Sequence, residues 1–125
     1  MEIKLTNAES EEYFYNALCN GLNYFSGYGI ILEYDTKEYQ KSRTKLKSPC
    51  FEDVLMQMLR DGKTLTFEDI ECEGEYTRTI SLKDIHDKVS KTPIKHLSDM
   101  INENDDATTA DVILQSVLYD EIIFG

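Results

Sequence analysis

The chain of 125 residues contains no tryptophan, two prolines and six glycines. So little proline and glycine excludes collagen-like and low-complexity chains, and 41% hydrophobic residues indicate a folded globular protein. No stretch reaches the roughly 18 consecutive apolar residues that a membrane span requires. No basic leader precedes an apolar run at the amino terminus, so the sequence predicts neither a membrane span nor a secretory signal.

Cysteine is scarce as well. Cys19, Cys50 and Cys72 are odd in number, widely spaced and without a CxxC pair. This pattern predicts free thiols in a reducing compartment rather than a disulfide framework or a zinc site, and we therefore expect a cytoplasmic protein. Cys50 is the one thiol worth testing for reactivity, because it falls in the first turn of a predicted helix, where an anionic sulfur is favoured.

Positive charge is the third deficit: 13 basic residues stand against 24 acidic ones, giving a net charge of −11. Lysine and arginine supply most of the affinity for phosphate backbones, so direct nucleic-acid binding is not expected. Adhesion to anionic membranes is unfavourable for the same reason. Such acidity serves either solubility or a face that meets a basic partner.

Hydrophobic periodicity in the amino-terminal half predicts four elements. Residues 2–5 alternate like a short strand, and Thr6 with Glu9 has the spacing of a capping box that opens a helix ending near Gly27. Residues 28–35 alternate again and predict a buried strand. The lysine-rich segment 37–47 is interpreted as an exposed loop or edge strand, because lysines prevent sheet edges from pairing.

The remainder predicts a helix, a hairpin and a helical end. Ser48-Pro49 starts a helix that Gly62 ends. Residues 63–72 and 76–82 alternate as two strands joined by a short glycine-containing turn. Helices follow from Ser81, from Thr92-Pro93 with Ile94, Leu97 and Ile101 inward, and from Thr108-Thr109. The apolar carboxyl terminus, residues 122–124, is expected to be docked.

Strands and helices in this order predict an α+β fold: a small, largely antiparallel sheet with helices on one face and a helical carboxyl-terminal segment. The length suits a single domain, residues 1–125. The predicted core consists of Leu18, Leu22, Ile30, Leu32, Leu55, Met58, Phe67, Ile80, Leu97, Val117 and Leu118.

Two acidic clusters are the candidate binding sites. Five acidic residues fall within eight positions of the predicted hairpin, with no positive charge among them: Glu68, Asp69, Glu71, Glu73 and Glu75. Asp105 and Asp106 form the second cluster. We interpret them as the surface of a non-catalytic interaction module that binds a basic protein as a small regulator or inhibitor. In its sharpest form the module mimics nucleic acid, because spaced carboxylates can occupy a groove made for phosphates.

The alternative is a hydrolase or nuclease that uses clustered carboxylates with a divalent metal, for which Glu68, Asp69 and Asp111 are the candidates. No HExxH motif occurs, and His86 and His96 fall on different predicted helices. Segment 102–107 resembles a calcium loop but has Ala107 where glycine is needed. We therefore assign no catalytic residue, no metal ligand and no cofactor.

The basic segment 37–47 offers a different contact. Lys37, Lys41, Arg43, Lys45 and Lys47 face only Glu38 as a local counter-charge. This segment could meet the acidic hairpin of a second copy, so a homo-oligomer formed through residues 37–47 is a further hypothesis.

Two carboxyl-terminal runs carry a resemblance. Residues 109–115, TADVILQ, and 119–125, YDEIIFG, are similar to the endings of small uncharacterised acidic proteins carried by phages and mobile elements of gut bacteria. The resemblance implies no activity. It implies a genomic context in which small acidic proteins often block host factors.

Overall fold

The computed structural model describes residues 3–125. In chain order the helices and strands are α1 (Asn7–Gly27), β1 (Ile30–Glu33), α2 (Thr36–Arg43), α3 (Phe51–Arg60), β2 (Leu65–Asp69), β3 (Arg78–Ile80), α4 (Leu82–Lys88), α5 (Ile94–Ile101) and α6 (Ala107–Tyr119). A short 3-10 turn, Val89–Lys91, follows α4.

The three strands form one antiparallel sheet in the order β1-β2-β3. Ile30 pairs with Asp69 in the first ladder, and Leu65 pairs with Ile80 in the second. Because side chains alternate along a strand, Leu65 and Phe67 point into the core while Glu68 is exposed. The helices therefore cover one face of the sheet, and the other face is open. This confirms the predicted α+β class and the antiparallel sheet.

The core centres on the packing of α1 against α6. Gly21 allows this close approach, because a Cβ there would lie 2.9 Å from Leu114 Cδ1 and 3.2 Å from the Ala110 carbonyl carbon. Helix α6 is buried on all sides from Thr109 to Tyr119. No helix in the part of the chain that the structure describes is both long and apolar enough to cross a membrane.

The predicted core residues lie where the sequence places them. Leu22 and Leu32 are partly buried and pack against the core, and the other nine are buried: Leu18, Ile30, Leu55, Met58, Phe67, Ile80, Leu97, Val117 and Leu118.

The predicted helix starts at Thr6 and Ser81 agree with the structure, in which Ser81 is the N-cap of α4, and the predicted starts of α3 and α6 differ. Thr6 and Glu9 form the predicted capping box, with hydrogen bonds of 3.1 and 2.9 Å. Helix α3 begins later than Ser48-Pro49, because Cys50 is its N-cap and its N–H donates to Asp53 Oδ2 at 3.0 Å. The N-cap of α6 is Asp106 rather than Thr108-Thr109.

The prediction for the lysine-rich segment was wrong. Residues 36–43 form α2, because Asp35 caps it by accepting hydrogen bonds from the N–H groups of Lys37 and Glu38. The Asp35 side chain caps the first turn and so starts the helix, a signal that the lysine content of the segment does not show.

Three smaller predictions were also wrong. Residues 3–5 do not form a strand, and Glu2 lies outside the described residues. On α5, Ile94 and Ile101 are exposed while Leu97 and Met100 face inward. The connection between β2 and β3 runs from residue 70 to residue 77, so it is a loop rather than a short turn.

Candidate interaction surface

We call residues 68–76 the acidic loop; it comprises the last two residues of β2 and most of the connection to β3, and Asp69 organises it. Its Oδ1 accepts hydrogen bonds from the N–H groups of Glu71 at 3.0 Å and Cys72 at 2.8 Å, and its Oδ2 accepts one from Tyr76 at 3.1 Å. Asp69 is only 4% exposed. Asp69 therefore shapes the loop from within, and the structure does not place it on the surface with the other predicted binding residues.

These hydrogen bonds also fix the charge of Asp69. The Cys72 N–H is the largest influence, and with the amides of Tyr76 and Glu71 it lowers the pKa of the Asp69 carboxyl despite burial. Asp69 is consequently ionised at neutral pH, and the ionised form is the better acceptor for three amides.

Two tight turns complete the loop. The N–H of Glu75 donates to the Cys72 carbonyl, and the N–H of Thr77 donates to the Gly74 carbonyl, both at 3.1 Å. Glu73 and Gly74 adopt left-handed backbone angles, with φ of 56° and 81°. Local hydrogen bonds therefore define the backbone path of the acidic loop.

The loop is anchored to the body of the protein at both ends. The N–H of Ile70 donates to the Gly29 carbonyl at 2.9 Å. The Glu71 side chain lies against Gly29 so closely that a Cβ at Gly29 would be 2.6 Å from its Cγ and Cδ. At the other end the Tyr119 hydroxyl donates to the Tyr76 carbonyl at 2.8 Å.

The carboxyl terminus is docked at Ile123 and Phe124, as the apolar ending predicted, whereas Ile122 is 46% exposed. Phe124 stacks on Tyr28 with ring centroids 4.7 Å apart and meets Tyr76 edge-on at 5.2 Å. Gln115 holds this tail: its Oε1 accepts hydrogen bonds from the N–H groups of Ile123 and Phe124 at 2.8 and 2.9 Å. The acidic loop thus rests on a fixed aromatic cluster.

The acids of the loop other than Asp69 are exposed, and none forms a salt bridge within residues 3–125. Glu33 on β1 is exposed too, and Ile70 is 59% exposed. We call this surface the acidic face; its side chains are Glu33, Glu68, Ile70, Glu71, Glu73 and Glu75. Elsewhere on the protein some carboxylates form salt bridges, such as Glu38–Lys41 and Asp61–Lys45.

The second predicted cluster has a different role. Asp106 accepts a hydrogen bond from the Thr109 N–H at 2.9 Å, which caps α6 and lowers the pKa of the Asp106 carboxyl. Asp105 is half-buried in the linker before it. Asp106 therefore begins a helix while remaining exposed, and its place on a binding surface stays a prediction.

The three acids proposed for a metal-dependent reaction do not come together. Asp111 is buried in α6, where its Oδ2 accepts hydrogen bonds from the Tyr28 hydroxyl at 2.9 Å and Gln115 Nε2 at 3.1 Å. Burial raises the pKa of Asp111. Glu68 is exposed on the opposite face of β2 from Asp69. Across residues 3–125 no group of three or more His, Cys, Asp or Glu side chains is arranged to hold a metal ion.

One signal in the sequence pointed to the structural role of Asp69. It shares a strand face with the buried residues Leu65 and Phe67, which lie four and two positions earlier. An acid at the inward position of an alternating strand must find hydrogen-bond donors, and the loop that follows supplied them. The network of Tyr28, Asp111 and Gln115 carried no comparable signal, because Tyr28 lies 83 positions from Asp111 in the chain.

Comparison with protein-family models, curated proteins and solved structures gave no match.

Proposed function

We propose that this protein is a non-catalytic interaction module whose acidic face binds a basic surface on a partner protein, acting as a small regulator or inhibitor. The observation that carries the proposal is the acidic loop itself. It presents the Glu68, Glu71, Glu73 and Glu75 side chains to solvent, and none of them forms a salt bridge within the described residues.

The fixed backbone of the loop supports this interpretation over solubility alone. Solubility requires charge but no defined arrangement of it, whereas three amide hydrogen bonds to Asp69 hold the spacing of the neighbouring glutamates. A preorganised surface loses less conformational entropy on binding than a flexible one. Complementary charge also accelerates encounter with a basic partner.

Mimicry of nucleic acid is the sharpest form of the proposal. A groove lined with lysine and arginine binds phosphates through charge and hydrogen bonds, and carboxylates held at fixed positions offer both. The exposed Ile70 beside Glu68 adds an apolar contact that a phosphate backbone lacks. The partner is therefore expected to combine basic side chains with a small apolar surface. The cysteine pattern of the sequence supports placing this interaction in the cytoplasm.

Self-association is part of the proposal through the basic segment 37–47. Lys41 and Lys45 are paired within the protein with Glu38 and Asp61. Lys37, Arg43 and Lys47 are exposed and form no salt bridge within the described part of the chain. These three cations could meet the acidic face of a second copy, and sedimentation at low and high salt measures the resulting association.

Affinity capture from lysate of the source organism, followed by mass spectrometry, tests the proposal with matched variants. The loop variant carries Glu71→Lys, Glu73→Lys and Glu75→Lys. The control variant carries Glu12→Lys, Glu103→Lys and Glu121→Lys, which are exposed acids elsewhere in the protein. Both change the net charge equally, so a difference between them reports on position rather than on total charge.

We expect the wild type and the control variant to capture the same basic protein and the loop variant to lose it. Purified complexes should weaken as salt rises, because exposed charges are screened within about 8 Å at physiological ionic strength. A partner that binds the loop variant as tightly as the wild type at every salt concentration would contradict the proposal, and the acidic residues would then serve solubility alone.

A further inference from the structure

Two of the three cysteines, far apart in the sequence, meet at one tyrosine. Cys19 lies on α1 and Cys50 is the N-cap of α3. The Tyr15 hydroxyl is 3.5 Å from Cys50 Sγ. On α1, Cys19 follows Tyr15 by one helical turn, and Cys19 Sγ lies 3.8 Å from Oε1 of Glu52, which is two residues after Cys50.

The surroundings of the two thiols differ. Cys19 Sγ donates a hydrogen bond to Glu52 Oε1 at 3.8 Å, so its proton is directed at a carboxylate. Desolvation is the largest influence on Cys19, and it raises the pKa of that thiol. Cys50 contacts the Tyr15 hydroxyl instead. Both cysteines are exposed and accessible to small molecules.

We propose that Cys19 and Cys50 form a redox-responsive dithiol that closes to a disulfide on reaction with a small-molecule disulfide. The Cys50 thiolate attacks one sulfur of the oxidant, whose S–S bond breaks to release one thiol and leave a mixed disulfide on Cys50. Cys19 then transfers its proton toward Glu52 and attacks Cys50 Sγ, releasing the second thiol. The dithiol loses two electrons and the oxidant gains them.

Closure would change the wall of a neighbouring pocket. Tyr15, Pro49 and Asp53 line a pocket of about 530 Å³ between α1 and α3, with Met56 and Arg60 deeper along α3. The Tyr15 hydroxyl contacts Cys50 Sγ, and the Cys50 N–H donates to Asp53 Oδ2 at 3.0 Å. Moving Cys50 Sγ to Cys19 removes one of the contacts that position the Tyr15 ring. We therefore expect oxidation to alter this pocket, whose lining shares no residue with the acidic face.

Incubating the reduced protein with graded ratios of oxidised to reduced glutathione tests the proposal. Remaining thiols are alkylated, and peptide mass spectrometry maps the links. We expect one internal Cys19–Cys50 disulfide, which forms equally well in Cys72→Ser. In Cys19→Ser we expect Cys50 to stop at the mixed disulfide with glutathione, because the resolving thiol is gone.

Two further measurements define what would overturn the proposal. Glu52→Gln should slow closure of the mixed disulfide on Cys50 while leaving its formation unchanged. Cys72 is exposed in the acidic loop and serves as the control for an accessible thiol with no second cysteine proposed as its partner. Glutathione remaining on both Cys19 and Cys50 in the wild type, a link from either to Cys72, or a disulfide that forms only between two chains would each refute the pairing.

Discussion

Replacing Gln115 with alanine is expected to release the carboxyl terminus and destabilise the protein. The Gln115 side chain is fully buried and makes four hydrogen bonds. Its Nε2 donates to Asp111 Oδ2 and to the Phe124 carbonyl, both at 3.1 Å, and its Oε1 accepts from the N–H groups of Ile123 and Phe124. One residue thereby joins α6 to the tail that supports the acidic loop.

The expected magnitude follows from these bonds. Each hydrogen bond contributes about 0.5–1.5 kcal/mol net to the free energy of unfolding, so loss of all four would cost about 2–6 kcal/mol at most. Ile123 and Phe124 are only partly buried, and water can satisfy part of what their amides lose. We therefore expect Gln115→Ala to lower the free energy of unfolding by about 2–4 kcal/mol.

Urea denaturation followed by circular dichroism measures the change in stability, and hydrogen exchange of the Ile123 and Phe124 amides reports on the tail. Ser116→Ala is the neighbouring control: its Oγ bonds only the Val112 carbonyl at 2.8 Å, and we expect a loss below about 1 kcal/mol. A loss below about 1 kcal/mol in Gln115→Ala, with exchange of both tail amides unchanged, would refute the reasoning.

Two other predictions concern buried acids. In Asp69→Asn an amide replaces a charged acceptor of three backbone N–H groups, so hydrogen exchange of the Glu71, Cys72 and Tyr76 amides should accelerate. Because the pKa of Asp69 is lowered, the protection of these amides in the wild type should be present above about pH 4 and fade as pH falls through that lowered pKa. Equal exchange in both proteins at neutral pH would contradict this role. The pH dependence expected for Asp111 is opposite, because its raised pKa means that the folded protein binds a proton at Asp111 at a higher pH than the unfolded chain does. The wild type should therefore gain stability relative to Asp111→Asn as pH falls from 7 toward about 4. A constant difference between their free energies of unfolding in urea over that range would contradict this prediction.

The features that the sequence predicted well are those set by local periodicity. Alternation in β2 placed Leu65 and Phe67 inward, and the 3.6-residue period of α3 placed Leu55 and Met58 in the core. The capping box at Thr6 has a fixed spacing, so it was recognisable without the fold. The antiparallel sheet followed from two alternating runs close together in the chain.

Three features that the sequence did not predict depend on hydrogen bonds to particular carboxylates. Asp35, Asp69 and Asp106 each accept backbone N–H groups, which made a helix of segment 36–43, a structured loop after β2 and an earlier start for α6. A count of charges treats these residues as surface acids. The contact of Cys50 with Tyr15 joins residues 35 positions apart, and no local pattern predicts such a pair.

Titrating the isotopically labelled protein with a short lysine oligomer, followed by NMR, tests the central claim most directly. The oligomer is a defined basic probe, so no partner needs to be known in advance. We predict that shifts concentrate on residues 68–76 and on Glu33, and that they vanish in the loop variant and persist in the control variant. Shifts spread evenly over all exposed acids, including Glu12, Glu103 and Glu121, would contradict the claim that the acidic face is a distinct binding surface.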